Sequence, residues 1–396
     1  MKIAYFTESL PPKTDGVAKS LTKLAETLLQ REIDFRFYCP AKPDETVAWH
    51  HRVRKVVSVP FPLYSYYDIA LPMFDRLEPE LDEFAPEIVH VASPTLLGIF
   101  GQDYARRRHI PVVGSFHTNF VSYFRYYNIQ FAEQFGWNIL RWFYGRCAVV
   151  YAPSRSTAAD LAAHGIGNVE LWQRGIELER FSPHLRDMEL RRSIGAEHIP
   201  IVLFVARLVK EKDLDDLMAA AELLTSWGHT FKVVFVGDGP YRSEIEQRLP
   251  DAYIAGFQYG EDLARWYASA DIFAFPSTTE TFGNVILEAF ASGLPVVTVN
   301  KGGVQDLVTS GLNGYIAQAN NPLDFAEKIQ LLLADEDHRR TLGQNGLKTA
   351  RNFSWDRING ALIESYQRVI EVHQDASLAT ETYQPPTGLV DKKKAF

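Results

Sequence analysis

Cysteine is nearly absent from this sequence of 396 residues, which holds only Cys39 and Cys147. Two thiols make neither a disulfide framework nor a four-cysteine zinc site, so the reducing cytoplasm is the expected compartment. Long apolar runs are absent as well. No stretch approaches the roughly 18 consecutive apolar residues that read as a membrane-spanning helix. The opening Met1-Lys2-Ile3-Ala4-Tyr5-Phe6-Thr7-Glu8 has neither the apolar segment nor the small-residue cleavage site of an export signal. There is no excess of positive charge either: 41 Lys and Arg stand against 49 Asp and Glu, a net charge of -8. The two signs balance as far as Arg180, so the surplus acid lies wholly beyond it. A general nucleic-acid binder is not expected, although local basic patches can still meet phosphate or an anionic membrane surface.

What is present is an alternation of short apolar runs with helical patterns. Ile3 to Phe6 precedes a loop ending Asp15-Gly16 and a helical pattern through Val17, Leu21, Leu24 and Leu28. Ile88 to Val91, Pro111 to Gly114 and Ala148 to Tyr151 repeat the theme. After Ser182-Pro183 a second series begins, with runs at 201–205, 233–236, 252–255, 272–275 and 296–299. Buried parallel strands joined by crossover helices read in this way. The fold class expected is α/β, with two doubly wound, Rossmann-like domains facing each other across a cleft, since such sheets bind ligands at their strands' carboxyl ends. The boundaries expected are 1–182 and 183–354, a C-terminal helix over 355–374 packing back on the first domain, and a polar tail without regular structure over 375–396.

Three segments carry candidate chemistry. In Thr279-Glu280-Thr281-Phe282-Gly283-Asn284-Val285-Ile286-Leu287-Glu288, one carboxylate precedes a helix start and a second lies eight residues on, inside the helix. Free backbone N–H groups and the positive dipole end there favour an anion or an oxygen-rich ligand, and Gly283 lets the main chain approach it. By spacing alone, two ordinary glutamates on an exposed helix fit equally well. In Val205-Ala206-Arg207-Leu208-Val209-Lys210-Glu211-Lys212-Asp213, a planar fork of donors and a compact charge follow a strand, a combination suited to a diphosphate. A solvated charged loop is the alternative. His117 falls just past a strand's carboxyl end, where lone histidines are more often structural. Asp213-Leu214-Asp215 has the minimal spacing of a metal motif, but acids in a helix's first turn are expected from the dipole. Gly237-Asp238-Gly239-Pro240 lacks the third glycine of the dinucleotide fingerprint, and Ser9, Ser93 and Ser115 lack a nucleophile elbow.

Taken together, these residues resemble the retaining glycosyltransferases of family four, which have the GT-B fold. The likeness spans nearly the whole chain to about residue 372 and rests on Glu280 with Glu288, Arg207 with Lys212, Val236-Gly237-Asp238-Gly239-Pro240, and Gly302-Gly303-Val304. The resemblance implies that Glu280 contacts hydroxyls of the donor hexose and Glu288 the ribose. It implies that Arg207, Lys212 and the Gly16 backbone hold the diphosphate, and that the backbone of Phe282, Gly283 and Asn284 touches sugar or phosphate. His117 would lie beside the transferred sugar, and the segment Tyr253 to Phe257 would hold the base. Catalytic roles fall to His117, Arg207, Lys212 and Glu280. Asp213 and Asp306 depart from the family pattern, where Gly and Glu are usual.

By the same resemblance the donor is a GDP- or UDP-sugar of the mannosyl or glucosyl type, transferred with retention, and neither a metal nor another cofactor is expected. Aromatic and basic residues between Phe120 and Arg146, with Tyr123, Arg125, Tyr126 and Tyr127 foremost, read as an acceptor or membrane contact or as helix packing. Stretches around His90-Val91-Ala92-Ser93-Pro94 and Arg174-Gly175-Ile176-Glu177 look most like the glycolipid-forming branch. A lipid acceptor such as diacylglycerol or a glycolipid is therefore expected, at the cytoplasmic face of a membrane. A soluble sugar or polysaccharide acceptor, or a sugar-nucleotide epimerase on this scaffold, is the alternative.

Overall fold

The computed structural model describes residues 1–13, 15–60, 68–71, 76–117 and 133–382. The first sheet contains β1 (Lys2–Phe6), β2 (Asp34–Cys39) and β3 (Val53–Lys55). A separate antiparallel pair, β4 (Ser58–Pro60) and β5 (Asp68–Ala70), interrupts the series. The first sheet resumes with β6 (Ile88–Val91), β7 (Val112–Ser115), β8 (Val149–Ala152) and β9 (Val169–Leu171). All of its pairs are parallel, in the order β3-β2-β1-β6-β7-β8-β9.

The second sheet contains β10 (Ile201–Val205), β11 (Lys232–Val236), β12 (Tyr253–Ile254), β13 (Ile272–Phe275), β14 (Val296–Val299) and β15 (Gly314–Ala317), in the order β12-β11-β10-β13-β14-β15 and again parallel. Strands such as Ile-Val-Leu-Phe-Val in β10 are buried at every position because helices cover both faces. Strand order reverses between β1 and β6 and between β10 and β13, and at such switch points the carboxyl ends splay to leave a crevice.

The fold class is the expected one: two Rossmann-like α/β domains. Four strands of the two parallel sheets escape an apolar-run reading, as does the separate β4–β5 pair. In β2 the polar Asp34 and Arg36 alternate with Phe35 and Phe37; β3, β9 and β15 are only three or four residues long and include charged or small residues.

The last helix, Trp355–Thr382, packs on the first domain. Leu362, Ile363, Tyr366, Val369 and Ile370 share a buried cluster with Tyr5, Leu21, Leu24, Leu28 and Trp172. Asn359 seats it by donating to Lys23 O at 3.1 Å and Thr27 Oγ1 at 2.9 Å. The helix outruns the expected end at 374 by eight residues, a correction to the tail expected from 375. Asp375-Ala376-Ser377-Leu378-Ala379-Thr380-Glu381-Thr382 contains neither proline nor glycine, so nothing stops a helix already nucleated by packing. The remainder of that tail, 383–396, lies outside the described residues.

Candidate functional site

Two helices begin where the crevices face each other. Gly16–Gln30 follows β1, and Asp15 caps it by accepting from the N–H groups of Val17 and Ala18, both at 2.9 Å. Asn284–Ala291 follows β13, with Gly283 at its cap in a left-handed conformation, φ 92°. A methyl group on Gly16 would lie 3.5 Å from Asn284 Nδ2, so the two helix starts nearly touch across the cleft. Both direct positive dipole ends and spare N–H groups into the space between them.

That space is a cavity of about 170 Å³ lined by Asp15, Gly16, Val17, His117, Arg174 and residues 279–284. It therefore brings together Gly16, His117, Glu280, Phe282, Gly283 and Asn284, which lie up to 268 residues apart in sequence. Lys212 joins them, its buried Nζ paired with the Glu280 carboxylate. Arg207 does not line this cavity. Its half-exposed guanidinium lies 3.8 Å from buried Glu211. Phe257 does not line it either; it is exposed and stacks on Tyr259 with centroids 6.4 Å apart. Tyr123, Arg125, Tyr126 and Tyr127 lie outside the described residues.

Glu288 sits one further turn along its helix and is not a surface glutamate: the helix is buried from Ile286 to Ala291. Its carboxylate accepts from Tyr267 Oη at 3.0 Å and pairs with Lys19 Nζ, also at 3.0 Å, reaching over from the first domain. Burial, with the Glu288 charge beside it, holds the Tyr267 hydroxyl well above its ordinary pKa. Lys19 has no signal in the sequence; only the meeting of two domains gives it this partner.

His117 is held at its carbonyl and at both ring nitrogens. Thr281 Oγ1 donates to its carbonyl at 2.9 Å, Ser115 Oγ lies 2.8 Å from Nε2, and an Arg174 Nη lies 2.6 Å from Nδ1. Burial, then the Arg174 charge and His90, hold its pKa well below the ordinary value, so the ring is neutral. Arg174 is itself buried, which lowers it to about 10. It was legible in sequence only as part of a turn.

The glycine pair downstream has a packing role. Gly303 N donates to Glu280 O at 2.6 Å, and a Cβ on Gly303 would fall 2.0 Å from Thr281 O. Only a residue without a side chain lets this backbone support the Glu280 loop. Gly303→Ala is expected to lower stability by about 1–3 kcal/mol, the usual cost of overpacking, and to displace Glu280; unchanged denaturation and turnover would contradict this.

Asp306, a departure from the family pattern, accepts from Ser156 N at 2.8 Å and so links the second domain to a helix start of the first. The carboxylates of Asp213 and Asp215 diverge: Asp213 accepts from Thr278 N and Oγ1, at 2.8 and 2.9 Å, whereas Asp215 faces Arg248 and Tyr241. A second cavity, of about 520 Å³, adjoins the other side of Glu280, among Glu133, Trp137, Ser156, Asp160, His164 and Lys301.

Comparison with known proteins decides what this arrangement belongs to. Residues 14–180 match the family model "Glycosyltransferase Family 4" and residues 188–349 the model "Glycosyl transferases group 1". The GDP-mannose-dependent alpha-mannosyltransferase of Mycobacterium tuberculosis is 32% identical over 375 residues, 93% of this chain and 97% of its own. The chain belongs to glycosyltransferase family four. The alpha-monoglucosyldiacylglycerol synthase of Streptococcus pneumoniae is 25% identical over 89% of this chain and 83% of its own. In fold, the glycosyltransferase is similar to the sucrose-phosphate synthase of Thermosynechococcus elongatus, with a TM-score of 0.76 and 21% identity over 94% of this chain and 99% of that one. The glycosyltransferase is thus an enzyme of GT-B architecture that moves a glycosyl group from a nucleotide sugar to an acceptor. Among the described residues, no helix is long and apolar enough to cross a membrane.

Proposed function

We propose that this glycosyltransferase moves a mannosyl group from GDP-mannose, with retention and without a metal, to a hydroxyl of a membrane lipid such as diacylglycerol or a glycolipid. One observation carries the donor half: two helix starts and the Lys212–Glu280 pair converge on one cleft beside His117. A diphosphate suits the N–H groups and the lysine, and hexose hydroxyls suit the carboxylate. GDP-mannose is the donor because the mycobacterial relative that matches nearly end to end is a GDP-mannose-dependent mannosyltransferase.

In the transfer, the bond from the anomeric carbon to the diphosphate breaks while the acceptor oxygen bonds to the same face. The departing phosphate oxygen takes the acceptor's proton. Lys212, Arg207 and the helix start at Asn284 stabilise charge growing on the leaving group. Glu280 orients the hexose and Glu288 the ribose, for which Lys19 must yield. The ring of His117, neutral and with both nitrogens engaged, serves by position and not as an acid or base.

For the acceptor, the helix Glu133–Tyr144 supports a lipid. Glu133 and Trp137 line the larger cavity, while Phe135, Ile139 and Trp142, at 67%, 41% and 46% exposure, form a stripe on another face. The Arg146 guanidinium lies 3.9 Å over the Trp142 ring. Exposed aromatics with adjacent arginine suit an anionic lipid surface. The relative named for diacylglycerol points the same way.

Thermal shift with GDP, UDP and ADP, each with and without EDTA, tests the donor. A ligand at a hundredfold its dissociation constant adds about 2.7 kcal/mol of stability. Stabilisation by GDP alone, unaffected by EDTA, is the expected result; stabilisation by UDP alone would move the reading to glucosyl transfer. Co-sedimentation with phosphatidylglycerol vesicles at low salt tests the acceptor side. Wild-type protein should bind and Phe135→Ser/Trp142→Ser should not, whereas failure of the wild type would favour a soluble acceptor.

A further inference from the structure

His117 is the first member of a buried polar chain that runs away from the cleft and ends on the C-terminal helix. Arg174 Nη lies 2.6 Å from His117 Nδ1, His117 Nε2 2.8 Å from Ser115 Oγ, Ser115 Oγ 2.9 Å from His90 Nε2, and His90 Nδ1 2.6 Å from Tyr366 Oη. Tyr5 Oη donates to Tyr366 Oη at 3.2 Å. The chain crosses β7, β6 and β1 and reaches the helix Trp355–Thr382. Ser115, His90, Tyr5 and Tyr366 are each at most 1% exposed.

Its direction is forced at one end. A guanidinium only donates, so His117 Nδ1 accepts and the ring proton sits on Nε2. His117 Nε2–H then donates to Ser115 Oγ, whose own hydrogen goes to His90 Nε2. His90 consequently carries its proton on Nδ1 and donates to Tyr366. From Arg174 to Tyr366 the bonds point one way, and each choice of tautomer follows from the one before it, while Tyr5 donates to Tyr366 from the other side. Such chains are stiff because a buried donor left without its acceptor is costly.

We infer that Ser115, His90 and Tyr366 are positioning residues for glycosyl transfer, holding His117 in one tautomer and orientation from the C-terminal helix. The link to chemistry is the His117 carbonyl, which receives Thr281 Oγ1 from the second domain, next to Glu280. Fixing the His117 ring fixes the first-domain side of the junction at which Glu280 meets the donor. A helix far along the sequence thereby contributes to the geometry of the cleft without touching substrate.

The inference rests on the reading of the cleft as the transfer site, and the test separates the two. Nitrogen-15 spectra of the histidines in the wild-type protein should give His117 with a protonated Nε2 and His90 with a protonated Nδ1. The opposite tautomer at either ring overturns the relay whatever the donor proves to be.

Kinetics supply the second readout. Tyr366→Phe removes one hydroxyl and is expected to lower kcat about fivefold, roughly the factor one net hydrogen bond is worth, with donor KM unchanged. Ser115→Ala cuts the chain between the two histidines. In that background Tyr366→Phe should cost nothing further in kcat, because its hydroxyl no longer communicates with His117. If the two losses multiply, the tyrosine supports helix packing only, and the inference fails. If Ser115→Ala does not fold, the tautomers of the wild-type protein decide.

Discussion

Lys212→Ala is expected to cut turnover by about a hundredfold to a thousandfold, the range found when one preorganised donor to a developing oxyanion is removed. Lys212 is 8% exposed, and its ammonium meets the Glu280 carboxylate at the cleft. In so dry a place a charge acts at a lower effective dielectric than in water, so its interaction with a departing diphosphate is strong. Arg207→Ala should cost less, about tenfold, because the guanidinium is half exposed and already faces Glu211 at 3.8 Å. Turnover and GDP affinity should both fall in the lysine variant, since the same charge holds the diphosphate before and after the bond breaks. Glu280 is partly exposed and tolerates the loss of its partner, so the variant should still fold. Wild-type turnover and GDP affinity in both variants would remove the diphosphate from this part of the cleft.

Stability should fall in acid because of buried histidines. Burial pushes His90 down to about 3 and also holds His117 well below its ordinary value. Unfolding restores a pKa near 6.5, so below that pH the unfolded chain binds protons that the folded one refuses, and stability drops as pH falls toward 3. At pH 5, relative to pH 7, His90 costs about 2 kcal/mol, set by the unfolded pKa alone because the folded value of about 3 lies well beneath 5. Other groups oppose this. Burial, with Asp213 and Asp215 beside it, raises Asp216 to about 6, and burial raises Glu8, so both favour the folded state in acid. The informative quantity is therefore the difference between wild type and His90→Gln in urea denaturation at the two pH values. The wild type should lose about 2 kcal/mol more than the variant between pH 7 and pH 5. Equal losses would mean that His90 takes up a proton within the fold.

Parts of the site were legible because they are local. Glu280, Gly283 and Glu288 belong to one strand-loop-helix unit, where a helix start dictates what binds and a spacing of eight puts the second carboxylate beyond the first turn. Arg207 and Lys212 belong to another such unit, yet their proximity in sequence did not foretell their separation. The short helical turn Lys210–Lys212 sends Lys212 to Glu280 and leaves Arg207 against Glu211. Whether Glu288 was a surface glutamate could not be read from spacing, since burial depends on which neighbours cover the helix. The answer came from Tyr267 and Lys19, one from another helix and one from another domain.

By itself, the sequence determined the α/β alternation in two series, the strands at 88–91, 201–205, 272–275 and 296–299, and the family through the Glu280–Glu288 and Arg207–Lys212 segments. These are short-range properties: apolar runs, helix periods and helix starts are written within about ten neighbouring residues. Tertiary structure alone decided that Arg174, His117, Ser115, His90 and Tyr366 form one chain, that Lys19 reaches Glu288, and that Gly303 supports the Glu280 loop. Each of these joins residues brought together only when strands align in a sheet or two domains meet. A hydrogen bond or ion pair between side chains far apart in sequence has no sequence period, so nothing in the order of residues announces it before the chain has packed.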